Sequence, residues 1–584
     1  MCGLGGVFSY AAIAPAALED ELSRLSDALR QRGPDGAGRW VSDDGRLGLV
    51  HRRLAIIDLS PAGAQPMHTD DGRYTVVFNG EIYNHRALRA QLQAEGVRFR
   101  GHSDTEVLLH LYARDGVGFC SQLRGMFALI IWDALKGTLF AARDVFGIKP
   151  LYFHDQHGVL RFASQVKALL ASGGVPVEVD PDAASQFAVW GHLPEPGTWI
   201  RDVVSLPAGG WRCWQRDGAT TSGAFGSVEA LLRGEQQPAT AYDCLHDAVL
   251  DSIRHHLEAD VPVGVFLSGG IDSSTLAALM AETGQPLTSV TLGFEPYRGT
   301  EADETPLAEL VAQQLGTQHH TVWISQQAFE ASLESFLRDM DQPTLDGLNT
   351  WLVSRAAASV GLKVVVSGLG GDEFFGGYPS FSQLPQMRRL AGLFAPIPWL
   401  GQVLRRTMTP WLGRLTNEKY AGLLEYGSTW SGAYLLRRGL SMPWRLKPGQ
   451  VFTLPSEPND LPDDHSCVSW LEATQYMRHQ LLRDSDWASM AHSLELRVPL
   501  VDTELVRYMA WSRRHGQPFN KQSLAHTPLR PLPDAIVLRE KTGFTVPLRE
   551  FMMSRLPPEA QGRGLTGWQH WVWQQQVSSL RDVQ

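Results

Sequence analysis

The sequence PVGVFLSGGIDSSTLAALM, residues 262–280, decides the architecture of the second half of the chain. It opens with a short apolar run, residues 262–267, that is typical of a buried strand of a parallel sheet. Glycines and serines interrupt this run, and helix-forming residues follow from Thr275 onward. Such a loop presents its amide N–H groups and hydroxyls at a helix N-terminus, where a phosphate anion binds well. The pattern therefore predicts a phosphate-binding loop between a strand and a helix.

Asp272 sets this loop apart from the common Walker type, which ends in Gly-Lys-Ser/Thr. A lone carboxylate beside bound phosphates would repel them, so Asp272 is expected to bind a Mg²⁺ ion that bridges the two. An ordinary Ser/Gly-rich turn is the alternative interpretation. The loop resembles the pyrophosphate loop of the ATP pyrophosphatases, enzymes that cleave ATP between its α and β phosphates. The resemblance implies ATP as a co-substrate and assigns contacts with it to Ser268, Gly269, Gly270, Asp272 and Ser273.

Further apolar runs alternate with helix-forming segments after this loop. Residues 287–294 and 362–366 are expected to be strands. Strands that alternate with helices are typical of an α/β doubly wound parallel sheet, which binds nucleotides at the carboxyl ends of its strands. A second Gly-rich loop, residues 367–373, follows the later strand and contains Asp372. Because Mg²⁺ takes few protein ligands, Asp272 and Asp372 are well suited to share one ion with phosphate oxygens.

The composition limits the classes of protein to consider. The chain of 584 residues is too long for one core, and 43% hydrophobic with 20% charged residues is typical of a folded protein. A formal net charge of −10 argues against nucleic acid as a partner. Five unpatterned cysteines predict a reducing compartment without a disulfide framework. Because there is neither a charged secretory N-terminus nor a sufficiently long apolar run, we expect a cytoplasmic protein without membrane contact.

The N-terminus, MCGLGGVF, places a small residue directly after the initiator methionine. Removal of that methionine would leave Cys2 first in the chain, with its own α-amine as a base for the thiol. Cys2 alone could equally be a small apolar residue that opens a strand. Polar residues in three later segments favour the catalytic interpretation, because they stand at strand ends or at a helix start: residues 53–58, 74–84 and 102–106.

As an ordered set these segments resemble the glutaminase domain of class II glutamine amidotransferases over nearly all of residues 1–205. That domain is an N-terminal-nucleophile hydrolase, so the resemblance implies an α+β fold with stacked antiparallel sheets between helices. It assigns Cys2 as the nucleophile that forms a glutamyl thioester. The Asn79 side chain and the Gly80 backbone N–H would form the oxyanion hole, where charge develops only in the transition state.

The resemblance also assigns the residues that bind the two charged groups of glutamine. Arg53 would bind the α-carboxylate bidentately, while Glu81 and Asp104 would hold the α-ammonium group. Asn79 would contact the same substrate. Taken singly, these residues could be solvated strand ends, or a helix cap in the case of Asp104.

Fusion of this domain to a pyrophosphate loop makes the chain most similar to glutamine-hydrolysing asparagine synthetases. The resemblance implies a glutaminase domain at 1–205 and an ATP-binding domain with a helical tail at 241–584. Turn residues such as Gly209-Gly210 and Asp217-Gly218 predict a weakly structured connector at 206–240 between them. Glutamine would supply ammonia through an internal tunnel to an acyl-AMP, which is made from ATP and an acceptor carboxylate with release of pyrophosphate. Aspartate is the default acceptor, Mg²⁺ the implied cofactor, and a homodimer a further family expectation.

Nucleotide contacts outside the first loop are also implied by this family. Leu267, Leu292, Ser367 and Gly368 would line the AMP moiety. Lys541, in the segment EKTGF, would reach the leaving pyrophosphate as a point charge. A surface lysine is the alternative for this last position.

Several departures from the family pattern bear on the acceptor. Leu369 stands in the second loop where typical asparagine synthetases carry a Glu that is tied to forming and aminating the acyl-adenylate. An apolar side chain cannot move a proton, so either another carboxylate such as Glu373 substitutes or the chemistry differs. Gln165 stands for a usual Glu, and Asp484 and Trp487 stand for a Lys and an Arg near the acceptor region. Exchange of two cations for an acid and an indole is expected to change which acceptor is tolerated.

These departures leave several functions open beside asparagine synthesis. One is an amidotransferase of the same mechanism that acts on another carboxylate, in the biosynthesis of a cell-surface polymer or secondary metabolite. A non-catalytic nucleotide-binding relative is a second, which intact Cys2, Asp272 and Asp372 argue against. A macrolactam-forming cyclase is a third, although such relatives generally do not use the glutaminase nucleophile. The Trp/Gln-rich tail, residues 567–584, is predicted to be an amphipathic helix or an interaction surface.

Overall fold

Three sheets organise the part of the chain that the structure describes. This computed structural model describes residues 2–11, 13–394, 398–415, 418–539, 546–547, 551 and 565–581. The strands are β1 (Gly3–Ser9), β2 (Gly36–Val41), β3 (Leu47–Arg53), β4 (Met67–His68), β5 (Tyr74–Ile82), β6 (Gly125–Asp133), β7 (Thr138–Arg143), β8 (Tyr152–Gln156), β9 (Val159–Ala163), β10 (Val203–Ser205), β11 (Gly210–Gln215), β12 (Thr220–Ala224), β13 (Val263–Phe266), β14 (Thr288–Phe294), β15 (Gln318–Ile324), β16 (Val364–Val366) and β17 (Glu495–Arg497).

Helices surround these sheets, and within the described ranges none is both long and apolar enough to cross a bilayer. A π-helix, Glu472–Leu482, joins the α-helices Asp464–Leu471 and Arg483–Met490. The α-helices are α1 (Pro15–Ala28), α2 (His85–Ala94), α3 (Asp104–Asp115), α4 (Val166–Ala171), α5 (Ala183–Trp190), α6 (Val228–Leu232), α7 (Leu245–His256), α8 (Ile271–Glu282), α9 (Thr305–Leu315), α10 (Gln326–Asp339), α11 (Leu348–Ser359), α12 (Gly371–Phe375), α13 (Ser380–Gly392), α14 (Pro398–Leu415), α15 (Leu423–Tyr426), α16 (Trp430–Arg438), α17 (Asp464–Leu471), α18 (Arg483–Met490), α19 (Thr503–Arg514), α20 (Lys521–Ala525), α21 (Asp534–Val537) and α22 (Leu565–Arg581).

Two six-stranded antiparallel sheets stack face to face in the N-terminal half. Their strand orders are β10-β8-β9-β1-β3-β2 and β12-β11-β7-β6-β5-β4. Side chains of β6 alternate between the two faces of its sheet. Ile130 and Trp132 therefore enter the core between the sheets, while Leu129 and Ile131 pack with the apolar side chains of α2 and α3. Helices α1 and α4 cover the outer face of the other sheet, which confirms the predicted fold of stacked antiparallel sheets between helices.

A five-stranded parallel sheet of order β15-β14-β13-β16-β17 lies in the C-terminal half. The chain winds outward in both directions from β13, so the crevice between β13 and β16 is the switch point at which such sheets bind ligands. Helix α8 begins at Ile271 rather than near Thr275, and Asp272 therefore lies in its first turn, where the helix dipole favours a carboxylate. The predicted doubly wound parallel architecture is confirmed.

The segment predicted as a connector, residues 206–240, differs from that prediction. Strands β11 and β12 form a hairpin within it, and β11 pairs with β7 so that Trp211 lies opposite Ala142. The turns at Gly209-Gly210 and Asp217-Gly218 flank β11, and Trp214 of this strand is fully buried. The longest part without helix or strand in this region is residues 233–244.

The C-terminal helix α22 packs against the molecule. The Trp568 indole N–H donates to the carbonyl of Leu345 at 3.2 Å, and Gln576 donates to the carbonyl of Leu337 at 2.8 Å. Trp573 stacks on the Phe187 ring with 5.5 Å between ring centroids. The Trp/Gln-rich composition of this helix therefore serves contacts within the chain, with α5, α10 and the loop that follows α10.

The two halves share buried apolar and charged contacts. One apolar core continues from α1 and α4 into the helices around the parallel sheet. Arg124 of the N-terminal half donates two hydrogen bonds to Asp502, at 2.8 and 2.9 Å, and one to Asp251 at 2.8 Å. The N-terminal strand β5 lies close to β17 of the parallel sheet, since Glu81 and Arg497 form an ion pair between them.

Candidate active sites

Cys2 is held at the start of β1 by hydrogen bonds on both sides of its backbone. Its N–H donates to Asn79 Oδ1 at 3.0 Å, and its carbonyl accepts a hydrogen bond from Arg32 Nε at 3.0 Å. The thiol is buried, and burial raises the pKa of Cys2. A neutral thiol is therefore the resting form, and a neighbouring base must take its proton before it can act as a nucleophile.

Asn79 and Gly80, the predicted oxyanion donors, lie on β5. Asn79 Nδ2 is buried and has no hydrogen-bond partner within the described part of the chain. Because an unpaired buried donor costs stability, this amide is suited to receive a substrate oxygen. Gly80 has a φ of 154°, and a Cβ there would lie 2.0 Å from the carbonyl oxygen of Met126. Only glycine fits this backbone conformation, and Gly80 directly follows Asn79, whose side chain is the other predicted donor.

Glu81 and Asp104 place two buried carboxylates at the end of β5, next to Gly80. Burial, followed by the neighbouring Glu495 carboxylate, raises the pKa of Glu81 well above its usual range. Burial also raises the pKa of Asp104, although its carboxylate accepts a hydrogen bond from the Ile82 N–H at 3.0 Å. Clustered carboxylates with raised pKa values are complementary to a cation, and an ammonium group is one.

Arg53 ends β3 and turns toward the loop that follows. Its guanidinium donates to the backbone carbonyl of Ser60 at 2.9 Å and to that of Asp58. These contacts hold the guanidinium against its own loop. The role of Arg53 as the clamp for the glutamine α-carboxylate stays a prediction.

Arg497 of β17 is a residue that the sequence analysis did not single out for a role at this site. It is fully buried, with Nη2 3.4 Å from Glu81 Oε1 and Nε 2.6 Å from Glu495 Oε1. Its own carbonyl accepts a hydrogen bond from the Ser367 N–H at 2.9 Å, in the second Gly-rich loop. Two charged residues at alternate positions of a short apolar strand, Glu495 and Arg497, are the signal that could have revealed a buried ion pair.

Arg32 links Cys2 to the other half of the chain. Its guanidinium forms a buried bidentate ion pair with Asp486, with N···O distances of 2.7 and 3.1 Å. Arg32→Ala would leave the Asp486 carboxylate buried without this partner, which is expected to cost about 3–5 kcal/mol. The variant also loses the donor to the Cys2 carbonyl. We expect a lower midpoint of thermal unfolding, measured by calorimetry, and slower glutamine hydrolysis.

Arg39→Ala is the matched control for this substitution. Arg39 pairs with Glu19 at the surface, where both side chains are exposed, and surface pairs contribute little to stability. Its midpoint should stay close to that of the original protein. An unchanged midpoint for Arg32→Ala would contradict the prediction and would mean that Lys149, 3.8 Å from Asp486, compensates for the lost charge.

A cavity of about 940 Å³ opens at the carboxyl ends of β13 and β16. The two Gly-rich loops approach each other closely there, since a Cβ at Gly371 would lie 2.4 Å from Asp272 Oδ1. Lys541 lies outside the described residues. The other residues that the sequence analysis assigned to the nucleotide or to the acyl-adenylate all line this cavity: Leu267, Ser268, Gly269, Gly270, Asp272, Ser273, Leu292, Ser367, Gly368, Leu369 and Asp372.

Lys521 occupies the gap between the two loops, and the sequence analysis missed it. Its ammonium group donates to Asp272 Oδ1 and lies 2.8 Å from Asp372 Oδ1. Because both carboxylates reach the same nitrogen, their oxygens converge on one point. Convergent carboxylate oxygens are a donor set that suits Mg²⁺. Asn520 and Ser523 form a capping box that marks the start of α20, but no local pattern directs Lys521 toward Asp272.

Each half of the chain also matches a known family. Residues 1–225 match the glutamine amidotransferase domain, and residues 245–562 match the asparagine synthase family. The chain belongs to the asparagine synthase family. It is a glutamine-hydrolysing, asparagine synthetase-like ligase.

Similar proteins differ in what their names say they do. Asparagine synthetase [glutamine-hydrolyzing] 1 of Bacillus subtilis is 31% identical over 95% of this chain and 88% of its own length. Amidase chry2 of Gibberella zeae is 34% identical over 62% of this chain and 56% of its own length. Among solved structures, glutamine phosphoribosylpyrophosphate amidotransferase from B. subtilis aligns over 56% of this chain and 91% of its own, with 16% identity and a TM-score of 0.30.

The second Gly-rich loop of this asparagine synthase family member carries an acid four residues after Leu369. Glu373 is buried, and its carboxylate accepts a hydrogen bond from the Tyr378 hydroxyl at 2.8 Å. Burial, followed by the neighbouring Asp372, raises the pKa of Glu373 to about 7. Leu369 and Glu373 line the same cavity, so Glu373 is a carboxylate that can exchange a proton near neutral pH beside the apolar substitution.

The other departures from the family pattern form one buried unit behind the cavity. Asp484 accepts hydrogen bonds from the Thr344 hydroxyl at 2.6 Å and from the Trp487 indole at 3.0 Å. Burial raises the pKa of Asp484 to about 7. The Trp487 ring also packs against Gly347, so both residues shape the loop 344–347 that borders the cavity. Nothing in the structure explains Gln165, which is buried at the start of α4.

Proposed function

We propose that this protein transfers the amide nitrogen of glutamine to an acceptor carboxylate other than aspartate. ATP activates the carboxylate as an acyl-adenylate with release of pyrophosphate, and ammonia then displaces AMP to form an amide. Adenylylation replaces a poor oxide leaving group with AMP. The observation that carries the proposal is a cavity of about 940 Å³ in which both Gly-rich loops adjoin a wall of aromatic and acidic side chains.

In the glutaminase half, the thiol of Cys2 attacks the glutamine amide carbon after losing its proton to a nearby base. Asn79 Nδ2 and the Gly80 N–H then donate to the oxygen that becomes negative. Glu81 and Asp104 hold the α-ammonium group, in keeping with their clustered carboxylates. Collapse of the adduct releases ammonia and leaves a glutamyl thioester, which water hydrolyses.

In the synthetase half, the first Gly-rich loop presents its backbone donors to the phosphates at the start of α8. Asp272 and Asp372 are the residues that would hold Mg²⁺, which when bound neutralises charge on the phosphate oxygens. The Lys521 ammonium group lies beside the same two carboxylates and supplies a further positive charge near the phosphates, which can stabilise the leaving pyrophosphate. Lys541 stays assigned to the pyrophosphate as a prediction.

Glu373 is the residue we propose to accept a proton during attack by ammonia. Ammonia gains a positive charge when it bonds to the acyl carbon, and a carboxylate with a pKa of about 7 can remove that proton at neutral pH. The Tyr378 hydroxyl orients the carboxylate. Glu373 thereby takes over a task that the apolar Leu369 cannot perform.

The acceptor is inferred from the substituted residues behind the cavity. A second carboxylate on the acceptor, besides the one that reacts, would need a cationic partner in the protein. Asp484 and Trp487 instead supply an acid and an indole. Aspartate is the second candidate, and the name of the B. subtilis relative, 31% identical over 95% of this chain, favours it.

A product assay separates these candidates. The full chain is incubated with MgATP, glutamine labelled with ¹⁵N in its amide, and one of aspartate, glutamate or 5-aminopentanoate, and all products are followed by mass spectrometry. We expect glutamate and pyrophosphate in near-equal amounts with a ¹⁵N-amide of an acceptor other than aspartate. Near-equal asparagine would establish the second candidate, and glutamate without pyrophosphate for any carboxylate would refute the ligase half of the proposal.

A further inference from the structure

The cationic side chains that line the cavity within the described ranges are already paired. Lys521 lies between the two loop aspartates. Arg539 Nη1 is 3.2 Å from Glu304 Oε1, and Arg438 Nη2 is 2.9 Å from Glu472 Oε2. None of these residues therefore provides an unpaired positive charge that could bind a second carboxylate of an acceptor.

Arg438 is also fixed in position by aromatic rings. Its guanidinium carbon lies 4.5 Å from the ring centroid of Tyr378 and 4.1 Å from that of Tyr476. Glu472, its partner, is fully buried and accepts a hydrogen bond from the Ser380 hydroxyl as well. The Arg438 guanidinium is therefore part of the cavity wall, held between two rings and a buried carboxylate. It would have to leave these partners in order to bind an anion of the substrate.

Two carboxyl groups of the cavity lack a cationic partner among the residues that the structure describes. One is Glu373, to which we assign proton transfer. The other is Asp346, whose Oδ1 accepts a hydrogen bond from the Gly347 N–H at 3.0 Å. Burial raises the pKa of Asp346, which shows that its negative charge is poorly solvated. A cation from outside the chain would relieve this cost.

The wall around Asp346 is aromatic and apolar. Trp190 and Tyr434 lie with ring centroids 6.2 Å apart, and Tyr476 faces the same cavity. Asp346 and Tyr476 both line this cavity, and burial followed by the Asp346 carboxylate raises the pKa of Tyr476. Leu345 completes the apolar lining. A carboxylate among aromatic faces is an environment that binds amines and guanidinium groups, because the rings attract the same charge.

The departures from the family pattern act in the same direction. Asp484 is bound to Thr344, two residues before Asp346, through a 2.6 Å hydrogen bond. In place of the Lys and Arg of typical asparagine synthetases, this chain carries Asp484 and Trp487. Asp484 therefore adds a second acid close to Asp346, and the side chains at positions 484 and 487 of this chain supply no positive charge there.

We propose that the acceptor is a carboxylic acid whose far end carries a positively charged amine or guanidinium group, and that Asp346 binds this group. The inference rests on the proposed function and narrows its acceptor class. The reacting carboxylate lies at the nucleotide end of the cavity, beside Leu369 and Glu373. The chain between the two ends lies along Trp190 and Tyr434.

The test uses two probes that differ only in the ammonium group, 5-aminopentanoate and pentanoate. Their dissociation constants for the full chain are measured by isothermal titration calorimetry, for the original protein and for Asp346→Asn. The asparagine oxygen can still accept the Gly347 N–H, so the loop is expected to keep its shape. Asp460→Asn is the matched control, since its side chain is 85% exposed and its φ of 53° is one that asparagine tolerates.

We expect 5-aminopentanoate to bind at least about ten-fold more tightly than pentanoate, because hydrogen bonds between charged groups contribute a free energy of this size. Asp346→Asn should reduce this ratio to within about two-fold, whereas Asp460→Asn should preserve it. Equal binding of both probes, no measurable binding of 5-aminopentanoate, or a ratio unchanged by Asp346→Asn would each overturn the inference. If the ratio behaves as expected but no carboxylate supports pyrophosphate release, the cation site stands and the proposed ligase reaction fails.

Discussion

Cys2→Ala is expected to slow glutamine hydrolysis at least about 1,000-fold, because alanine has no nucleophile for the glutamyl thioester. Pyrophosphate release with ammonium chloride in place of glutamine should continue at the original rate, since that chemistry occurs in the other half of the chain. The measurement is the initial rate of glutamate formation from glutamine, run in parallel with ammonia-dependent pyrophosphate release from the same preparation.

Cys244→Ala is the matched control, because Cys244 is exposed and stands outside both proposed sites. It should leave both rates unchanged. If Cys2→Ala retained glutamine hydrolysis, another nucleophile would be needed and the assignment of Asn79 and Gly80 as its oxyanion donors would fall with it. Loss of both activities would instead indicate misfolding, which the thermal midpoint reveals.

Glu373→Gln is expected to slow amide formation about 100- to 10,000-fold, the usual range for loss of a general base. Glutamine can still accept the Tyr378 hydroxyl, so the wall should keep its geometry. Glutamine hydrolysis should be unaffected, and activation of the acceptor, followed as ATP–pyrophosphate exchange, should persist. The measurement is single-turnover amide formation with the acceptor that the product assay identifies.

The pH profile provides an independent readout of Glu373. The carboxylate is the active form, and its pKa is raised to about 7, so the rate of amide formation should fall as the pH drops below about 7 and level off above it. Glu373→Gln should remove this dependence. Glu309→Gln, at an exposed position of α9 whose carboxylate accepts from the Thr321 hydroxyl, should keep both rate and profile. An undiminished rate in Glu373→Gln would show that another group accepts the proton.

Local sequence patterns were sufficient to place the nucleotide loops. In each case a short β-rich strand, a Gly-rich turn and a helix start follow one another within a few residues, so neighbouring positions alone specify the geometry. The helix of the first loop nevertheless begins at Ile271, earlier than expected, because Asp272 is compatible with both a loop and a first helical turn. The hairpin β11–β12 was missed because glycine-containing turns such as Asp217-Gly218 are typical of hairpins and of loose connectors alike.

The amino-acid sequence by itself determined the family resemblance, the two halves and the residues of both loops, since these depend on contiguous motifs. Only the tertiary structure decided which distant side chains meet: Lys521 reaches Asp272 across 249 residues, and Arg32 reaches Asp486 across 454. It likewise showed that Asp346 faces the cavity without a cationic partner among the described residues. The physical reason is that side-chain pairing of this kind depends on how strands and helices pack, and no periodicity of a single segment records it.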